Sequence, residues 1–357
     1  MTDKEPMTNT TPPSTEIPTR WVGPIRMSGN AADGEFEVPL ATYETPLWPS
    51  VGRGARISRM VEGGIRATVV DERMSRSVLF TAESAADAYA AAGQIARRFD
   101  DLAAVVEAGS KYAKLLEAHP EIVGNLLYVR FAFTTGDASG HNMVTNASDA
   151  LMSEILSWNA GLGYGSISGN FCSDKKATAV NGILGRGRNT VADILIPHEI
   201  VSKWLRSSAQ KISDLVIQKN LVGSTIAGAL RSANAHYANM LLAFYLATGQ
   251  DAANIVEGSQ GITYAENRED GLYFSCTLPH LIVGTVGNGK HLSHVDYAME
   301  RMNLRQDRPA GENSRKLAAL MAGAVLCGEL SLLAAQTNPG ELMQAHLRLE
   351  RKEAPRS

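Results

Sequence analysis

Apolar positions in this chain of 357 residues come first in short alternating runs and later in long stripes with helical spacing. From Arg20 to Ser50 they form brief extended pieces, WVGPIRMSG and GEFEVPLATYETPLWPS, and Pro39 and Pro46 argue against a helix in the second. After Arg53, ISRMVEGGIRATVVDERM reads as strand, Gly-Gly turn, strand. A strand-like SVLFT then leads into an alanine-rich helix from about Ala82 to Phe99. DLAAVVEAG, a helical KYAKLLEAHP, the apolar run LLYVRFAF and a helix from about Ala147 to Trp158 follow. Strands alternating with helices over so short a span predict a small α/β sandwich.

From Thr190 the texture changes again. DILIPHEIVSKWL supplies a strand and a helix start. The stretch SDLVIQKNLVGSTIAGALRSANAHYANMLLAFYLATGQDAANI predicts the longest buried helix, with Gly249 as its stop and Asp251 just beyond. His236 and Asn239 are three apart and share a face of it. GITYAENREDGLYFSCTLPHLIVG has the pattern of a hairpin. The apolar helix from Leu317 to Ala335 is interrupted by Glu329 and falls short of the ~20 apolar residues of a membrane span, so a core helix is expected. Pro339 and Gly340 then separate a charged, helical tail.

Composition narrows the function class. The length allows two domains, and 44% hydrophobic with 20% charged residues is the balance of a soluble globular protein. A net charge of -3 and the lack of a basic block give no reason to expect nucleic acid. Cys172, Cys276 and Cys327 are odd in number and widely spaced, so neither a disulfide framework nor a metal site follows, and a reducing cytoplasm fits. Residues 1–20 are rich in Thr and Pro without an apolar block, and a disordered leader is expected there rather than a signal or membrane anchor.

Three stretches carry candidate chemistry. Asp174, Lys175 and Lys176 lie side by side between glycine-bearing turns, and an ammonium beside a carboxylate in a partly dry site can stabilise an oxyanion. Glu44 has Leu40, Leu47 and Trp48 as apolar neighbours, a setting that raises a carboxyl pKa by desolvation and suits a general acid. Asp251, past a helix end, gains nothing from the helix dipole and needs a partner such as a lysine. No GxGxxG follows a strand, so a Rossmann fold has no support. GDASGHNMVT instead offers small residues for close backbone approach to a pyrophosphate, with Asp137 and Asn142 as polar contacts. Gly284, Gly287 and Gly289 make a tight turn. His141 alone does not make a metal site.

SGNFCSDKK followed by NGILGRG, with VPLATYETPLWPSVGRG, GDASGHNMVT, QKNLVGS, LATGQDAAN, GTVGNGKHL and PAGENSRKLAALMAGAVLCGELSLLAAQ, resembles 3-hydroxy-3-methylglutaryl-CoA (HMG-CoA) reductases of the soluble bacterial, class I-like form. These blocks occur in family order and cover nearly the whole chain after residue 20. The resemblance implies an α+β fold. Its large helix-rich domain (21–68 and 167–337), built around a long central helix, would bind substrate and dimerise. A small ferredoxin-like α/β cofactor domain (69–166) would be inserted in it, and 338–357 would form a mobile flap. It implies four-electron reduction of HMG-CoA to mevalonate and CoA with NADPH, NADH being the other possibility, and no metal.

By the same resemblance Lys175 stabilises the oxyanion and Glu44 donates a proton. Asp251 hydrogen-bonds between Glu44 and Lys175, and His346 protonates the CoA thiolate. Arg66, Ser168, Asp174, Lys176, Lys219 and Asn239 hold the acyl group, and Arg53 faces CoA. Ser110, Lys111, Asp137, Asn142, Met143, Gly287, Asn288 and Gly289 bind the cofactor, with Lys111 near a 2′-phosphate. A homo-oligomer, at least a dimer with shared active sites, is implied, without nucleic acid or membrane. The chain departs from the family pattern at Thr45, Gly52, Ser139, His141 and Asn288. A divergent reductase of another acyl-CoA and a non-catalytic CoA- or nucleotide-binding homologue are the competing readings.

Overall fold

The structure, a computed structural model, describes residues 15–344 together with Leu347. β1 (Thr19–Gly29) and β2 (Gly34–Ala41) pair as an antiparallel hairpin, which agrees with the extended reading as far as Ala41, whereas residues 47–50, also read as extended, are helical. Where a strand was expected from Ile57, the chain forms α1 (Leu47–Met60), burying Leu47, Trp48, Val51, Ala55 and Ile57. Pro49 is tolerated because it lies in the first turn, where amide protons have no partner inside the helix. Gly54 has a packing reason. A Cβ there would meet the backbone of Cys327 at 2.3 Å, so its absence lets two helices touch backbone to backbone.

β3 (Ile65–Thr81) is a single strand of 17 residues. Its first half pairs with β1 in parallel and its second half becomes part of another sheet. That second region comprises α2 (Ala85–Arg97), α3 (Phe99–Gly109), β4 (Leu115–Val123), β5 (Leu126–Phe133), α4 (His141–Ser157) and β6 (Gly163–Ser166). The helix expected over KYAKLLEAHP is in part strand β4, joined to β5 by the two residues Gly124 and Asn125. Pairing along the apolar, buried β5 overrides the local helical propensity of those residues.

The chain then continues through α5 (Val180–Leu184), β7 (Gly187–Pro197), α6 (His198–Ile200), α7 (Ala209–Leu215), α8 (Ser224–Ile226), α9 (Tyr237–Ala247) and α10 (Ile255–Gly258). It finishes with β8 (Ile262–Arg268), β9 (Gly271–Leu281), α11 (Ser293–Arg301) and α12 (Glu312–Gln336). The larger sheet runs β2-β1-β3-β7-β9-β8, with β8 and β9 forming the expected hairpin. One parallel pair, β1 with β3, among antiparallel ones makes it mixed. One hydrophobic cluster joins this sheet to α1, α9 and α12, and a second joins α2, α3 and α4 to the smaller sheet.

The stretch expected to be the longest helix is broken. A π-helical turn (Val216–Gly223) follows α7, Gly228 and Arg231 turn the backbone left-handed, and Ala233 makes a bridge to Ile262 before α9 begins. α12 is the long buried helix instead, with 25 residues. It is apolar enough to pass for a membrane span, yet 94% of its most apolar window is buried inside the protein, as expected of a core helix. Its one acid there, Glu329, is fully buried and accepts from the backbone amides of Ala235 and His236 and from the Thr263 hydroxyl. The carboxylate thus holds the start of α9, which needs donors at that buried position.

Candidate functional site

Polar chemistry gathers at the two ends of α9. At its C-terminal end, Gly249 turns left-handed and presents Asp251, whose Oδ2 lies 2.7 Å from Lys175 Nζ. Lys175 comes from a loop in which Asn170, Ser173 and Lys175 all have positive φ, a conformation that costs energy for residues with a Cβ. Hydrogen bonds over-determine it. Glu257 Oε1 accepts from Lys175 N at 3.1 Å, Asn181 donates to Ser173 O at 2.9 Å, and Asp174 accepts from buried Arg186 at 2.7 Å. The bond to Asp251 raises the Lys175 ammonium above its usual range despite partial burial. Burial pushes the Asp251 carboxyl up, but the Lys175 bond and the Ala253 amide pull it below the usual range. The pair is therefore an ammonium and a carboxylate, half exposed and open to a ligand.

Next to it, His141 Nε2 lies 3.6 Å from Asp174 Oδ1. Burial would raise the Asp174 carboxyl, and His141 and Arg186 more than offset this, holding it well below the ordinary carboxylate range. Arg186 was not singled out in the sequence; its only signal was position, in a Gly-rich segment after the lysines. Lys176 is exposed, its Nζ 3.0 Å from Asp174 O, and Ser168 is exposed nearby in sequence.

The segments expected to bind cofactor converge on this side. Ala138 bridges Val286, Thr285 N donates to Asp137 O at 2.8 Å, and Tyr112 packs on Gly136. Ser110 Oγ accepts from Ala113 N at 3.0 Å, and the neighbouring Lys111 is exposed. Gly140 caps α4 left-handed, and the first amides of α4 (His141, Asn142 and Met143) have no carbonyl partner within the helix. Opposite stand Gly287 and Gly289, both left-handed, flanking exposed Asn288. Asp137 corrects an expectation: its carboxylate accepts from Gly311 N and Ser314 N and so caps α12. Its part in any cofactor site is to fix the loop.

At the N-terminal end of α9, a cavity of about 490 Å³ is lined by Glu44, Arg53, His236, Asn239 and Glu341 among others. Asn239 donates to Glu44 Oε2 at 2.9 Å. Glu44 is exposed, so the burial expected of it is not supplied by a single chain. Within one chain Asp251 does not stand between Glu44 and Lys175, because the length of α9 separates Glu44 from the other two: Asn239 to Ala247 alone spans roughly 12 Å at 1.5 Å per residue. Arg53 pairs with Glu341 at 3.2 Å, so the tail begins over the cavity. His346 lies outside the described residues. Lys219 is half-buried in the π-helical turn, where desolvation lowers its ammonium and the field of Glu329 partly restores it. Arg66 goes elsewhere: it is exposed and pairs with Asp193 at 2.7 Å across β3 and β7.

Beside the first cavity is a second, of about 670 Å³, lined by Arg53, Arg56, Arg59, Lys203 and Arg206 around Trp204, with no carboxylate among the described residues of its lining. Arg56 and Lys203 lie 5.6 and 5.7 Å from the Trp204 ring. Reading Ile57 onward as a strand hid this site, since Arg53, Arg56 and Arg59 share a face only at helical spacing. Among the described residues, no cluster of His, Cys, Asp or Glu is arranged to hold a metal ion.

Known proteins of one family share this chain. The profile of hydroxymethylglutaryl-coenzyme A reductase matches residues 11–351. A 3-hydroxy-3-methylglutaryl-coenzyme A reductase of Pyrococcus horikoshii is 45% identical over 324 residues, 90% of this chain and 78% of that protein. One from Aeropyrum pernix is 42% identical over 333 residues, 93% of this chain and 78% of its own length. In three dimensions the class II 3-hydroxy-3-methylglutaryl-CoA reductase of Streptococcus pneumoniae, solved bound to NADPH, superposes with a TM-score of 0.71 over 93% of this chain and 88% of that one, at 20% identity. That agreement is one of fold, a mixed α+β architecture. On the strength of the profile and of these relatives, the chain belongs to the hydroxymethylglutaryl-coenzyme A reductase family.

Proposed function

We propose that this protein reduces HMG-CoA to mevalonate and free CoA through mevaldehyde, consuming two NADPH and two protons. The observation that carries the reading is the Lys175–Asp251 pair at 2.7 Å, set beside the converging 136–143 and 284–289 segments. Bound NADPH supplies the hydride in each half-reaction. The first amides of α4 and the glycine turn fit such a group, since both would let a pyrophosphate and a flat ring approach backbone. Lys175 faces the thioester carbonyl and later the aldehyde, offering a full positive charge to the oxygen that becomes anionic. Asp251 keeps that lysine charged and aimed. Glu44, oriented by Asn239, delivers the proton to the product oxygen, and His346 serves the departing thiolate. Ser168, Asp174, Lys176 and Lys219 would surround the acyl group. The phosphates of CoA fit the all-cationic cavity of Arg53, Arg56, Lys203 and Arg206.

The second core, from about residue 69 to 166, is read as a ferredoxin-like cofactor domain, on its β3-α2-α3-β4-β5-α4-β6 order. The enzyme is further read as a cytoplasmic homodimer with shared active sites. Two features support the dimer. Glu44 and Lys175 lie at opposite ends of α9 in one chain, and an exposed apolar stripe runs through Ile217, Leu221, Val222 and Ile226. A spectrophotometric assay of NADPH oxidation with HMG-CoA tests the reading directly, and no oxidation at any substrate concentration refutes it.

Cofactor choice rests on exposed Lys111, with no acidic residue between Gly109 and Lys114. A cation there attracts a 2′-phosphate. Lys111→Glu is expected to raise KM for NADPH about tenfold while moving KM for NADH less than twofold, about the cost of one charge-assisted hydrogen bond. Steady-state kinetics with both cofactors checks this, and equal shifts would remove Lys111 from the site.

A further inference from the structure

Lys290 follows the glycine turn and is 7% exposed, yet among the described residues no carboxylate pairs with it. Its Nζ donates instead to the carbonyl oxygens of Thr248 (3.3 Å) and Gly249, just past the C-terminal end of α9, the first of which also accepts from Gln250 Nε2 at 2.9 Å. The turn is tied to the same place twice more. Gln250 donates to Gly284 O at 3.1 Å and accepts from Gly284 N at 2.9 Å. Arg305 donates to Thr285 O and Lys290 O, both at 2.9 Å, while pairing with Asp296 of α11. Asp251 is therefore the first residue beyond a junction that also carries Gly287 and Gly289. Lys290 is the ionisable side chain inside that junction, and its charge opposes the negative end of the α9 dipole exactly where a carboxylate must be held.

We propose that Lys290 is a positioning residue, which locks Asp251 and the Gly287–Gly289 turn into one unit so that turnover depends on its charge. The inference rests on the functional reading above. Arg305, from the segment after α11, is the charged group whose field reaches Lys290, and Arg305 is itself paired with Asp296 of α11. Burial, with a further contribution from Arg305, pushes the ammonium down to about 8. The clamp is thus fully charged below that pH and is lost as pH rises through it. An uncharged amine donates more weakly to the two carbonyls and leaves the dipole unopposed.

The test is the pH profile of kcat for wild type, Lys290→Met and Lys290→Arg. Wild-type kcat is expected to fall on an alkaline limb near pH 8. Lys290→Met lowers kcat about tenfold at neutral pH, removes that limb and leaves KM for HMG-CoA within about twofold. Lys290→Arg, charged at any working pH, carries activity beyond about pH 9. An alkaline limb near pH 8 that neither variant moves overturns the proposal, as does a Lys290→Met enzyme with wild-type kcat. Wild-type turnover of HMG-CoA tests the functional reading separately. Fluorescence titration with NADPH makes the same comparison without turnover: affinity should weaken above pH 8 in wild type alone, and an affinity that neither pH nor substitution moves overturns the proposal whatever the substrate.

Discussion

Lys175→Ala is expected to cut turnover by a factor of about a hundred or more, the scale of losing one preorganised oxyanion partner. The side chain is poised for little else. Its backbone is held left-handed by Glu257 and the Ser173–Asn181 contacts, so the loop keeps its shape when the ammonium is gone. Asp174 stays fixed on Arg186. The loss should therefore appear in kcat, with KM for HMG-CoA changed much less, and thermal stability should stay close to wild type. Steady-state kinetics and a melting curve decide this together. A variant with near-normal kcat would show that the 2.7 Å pair with Asp251 is structural and that another group meets the oxyanion.

The second large effect is a recovery. Glu44→Gln and Lys175→Ala should each be nearly inactive alone, yet mixing the two chains by co-expression should restore about a quarter of wild-type activity. In a two-fold dimer whose sites each take Glu44 from one subunit and Lys175 from the other, half of the randomly paired dimers are hybrid. Each hybrid has one site with both defects and one with none. The separation of the two groups along α9 motivates the experiment, since among the described residues of a single chain the Glu44 carboxylate has Asn239 as its hydrogen-bond partner. Purifying hybrid dimers with two affinity tags and measuring their kcat checks the count. Hybrids as inactive as their parents would mean that both groups reach one site within a single chain.

Much of this site could be read along the sequence because its signals are local. Lys175, Asp251 and Asn239 sit in short runs that resemble motifs of one family, and the structure brings the first two into contact. The α12 core helix and the β8–β9 hairpin were equally legible from apolar spacing. What escaped was decided at long range. α1 contains Pro49, Gly52 and Gly54, poor helix formers, and is held by packing on Cys327. With it went the face that carries Arg56 and Arg59 toward Trp204. β4 looked helical until β5 was available to pair with it. The break at Gly228 gives way to a bridge between Ala233 and Ile262, residues brought together only by tertiary folding. Asp137 looked like a ligand contact because nothing in its own neighbourhood announces the α12 amides that claim its carboxylate.

β3 has a consequence for how this protein can be taken apart. The same unbroken strand pairs with β1 and β7 over Ile65–Arg73 and with β5 and β6 over Met74–Thr81. The smaller region is therefore not a cassette on a linker. Excising it cuts through a hydrogen-bonded ladder and strips a paired edge from what remains, so grafting a foreign cofactor unit would require crossovers within helices or loops on its far side, with β3 kept whole.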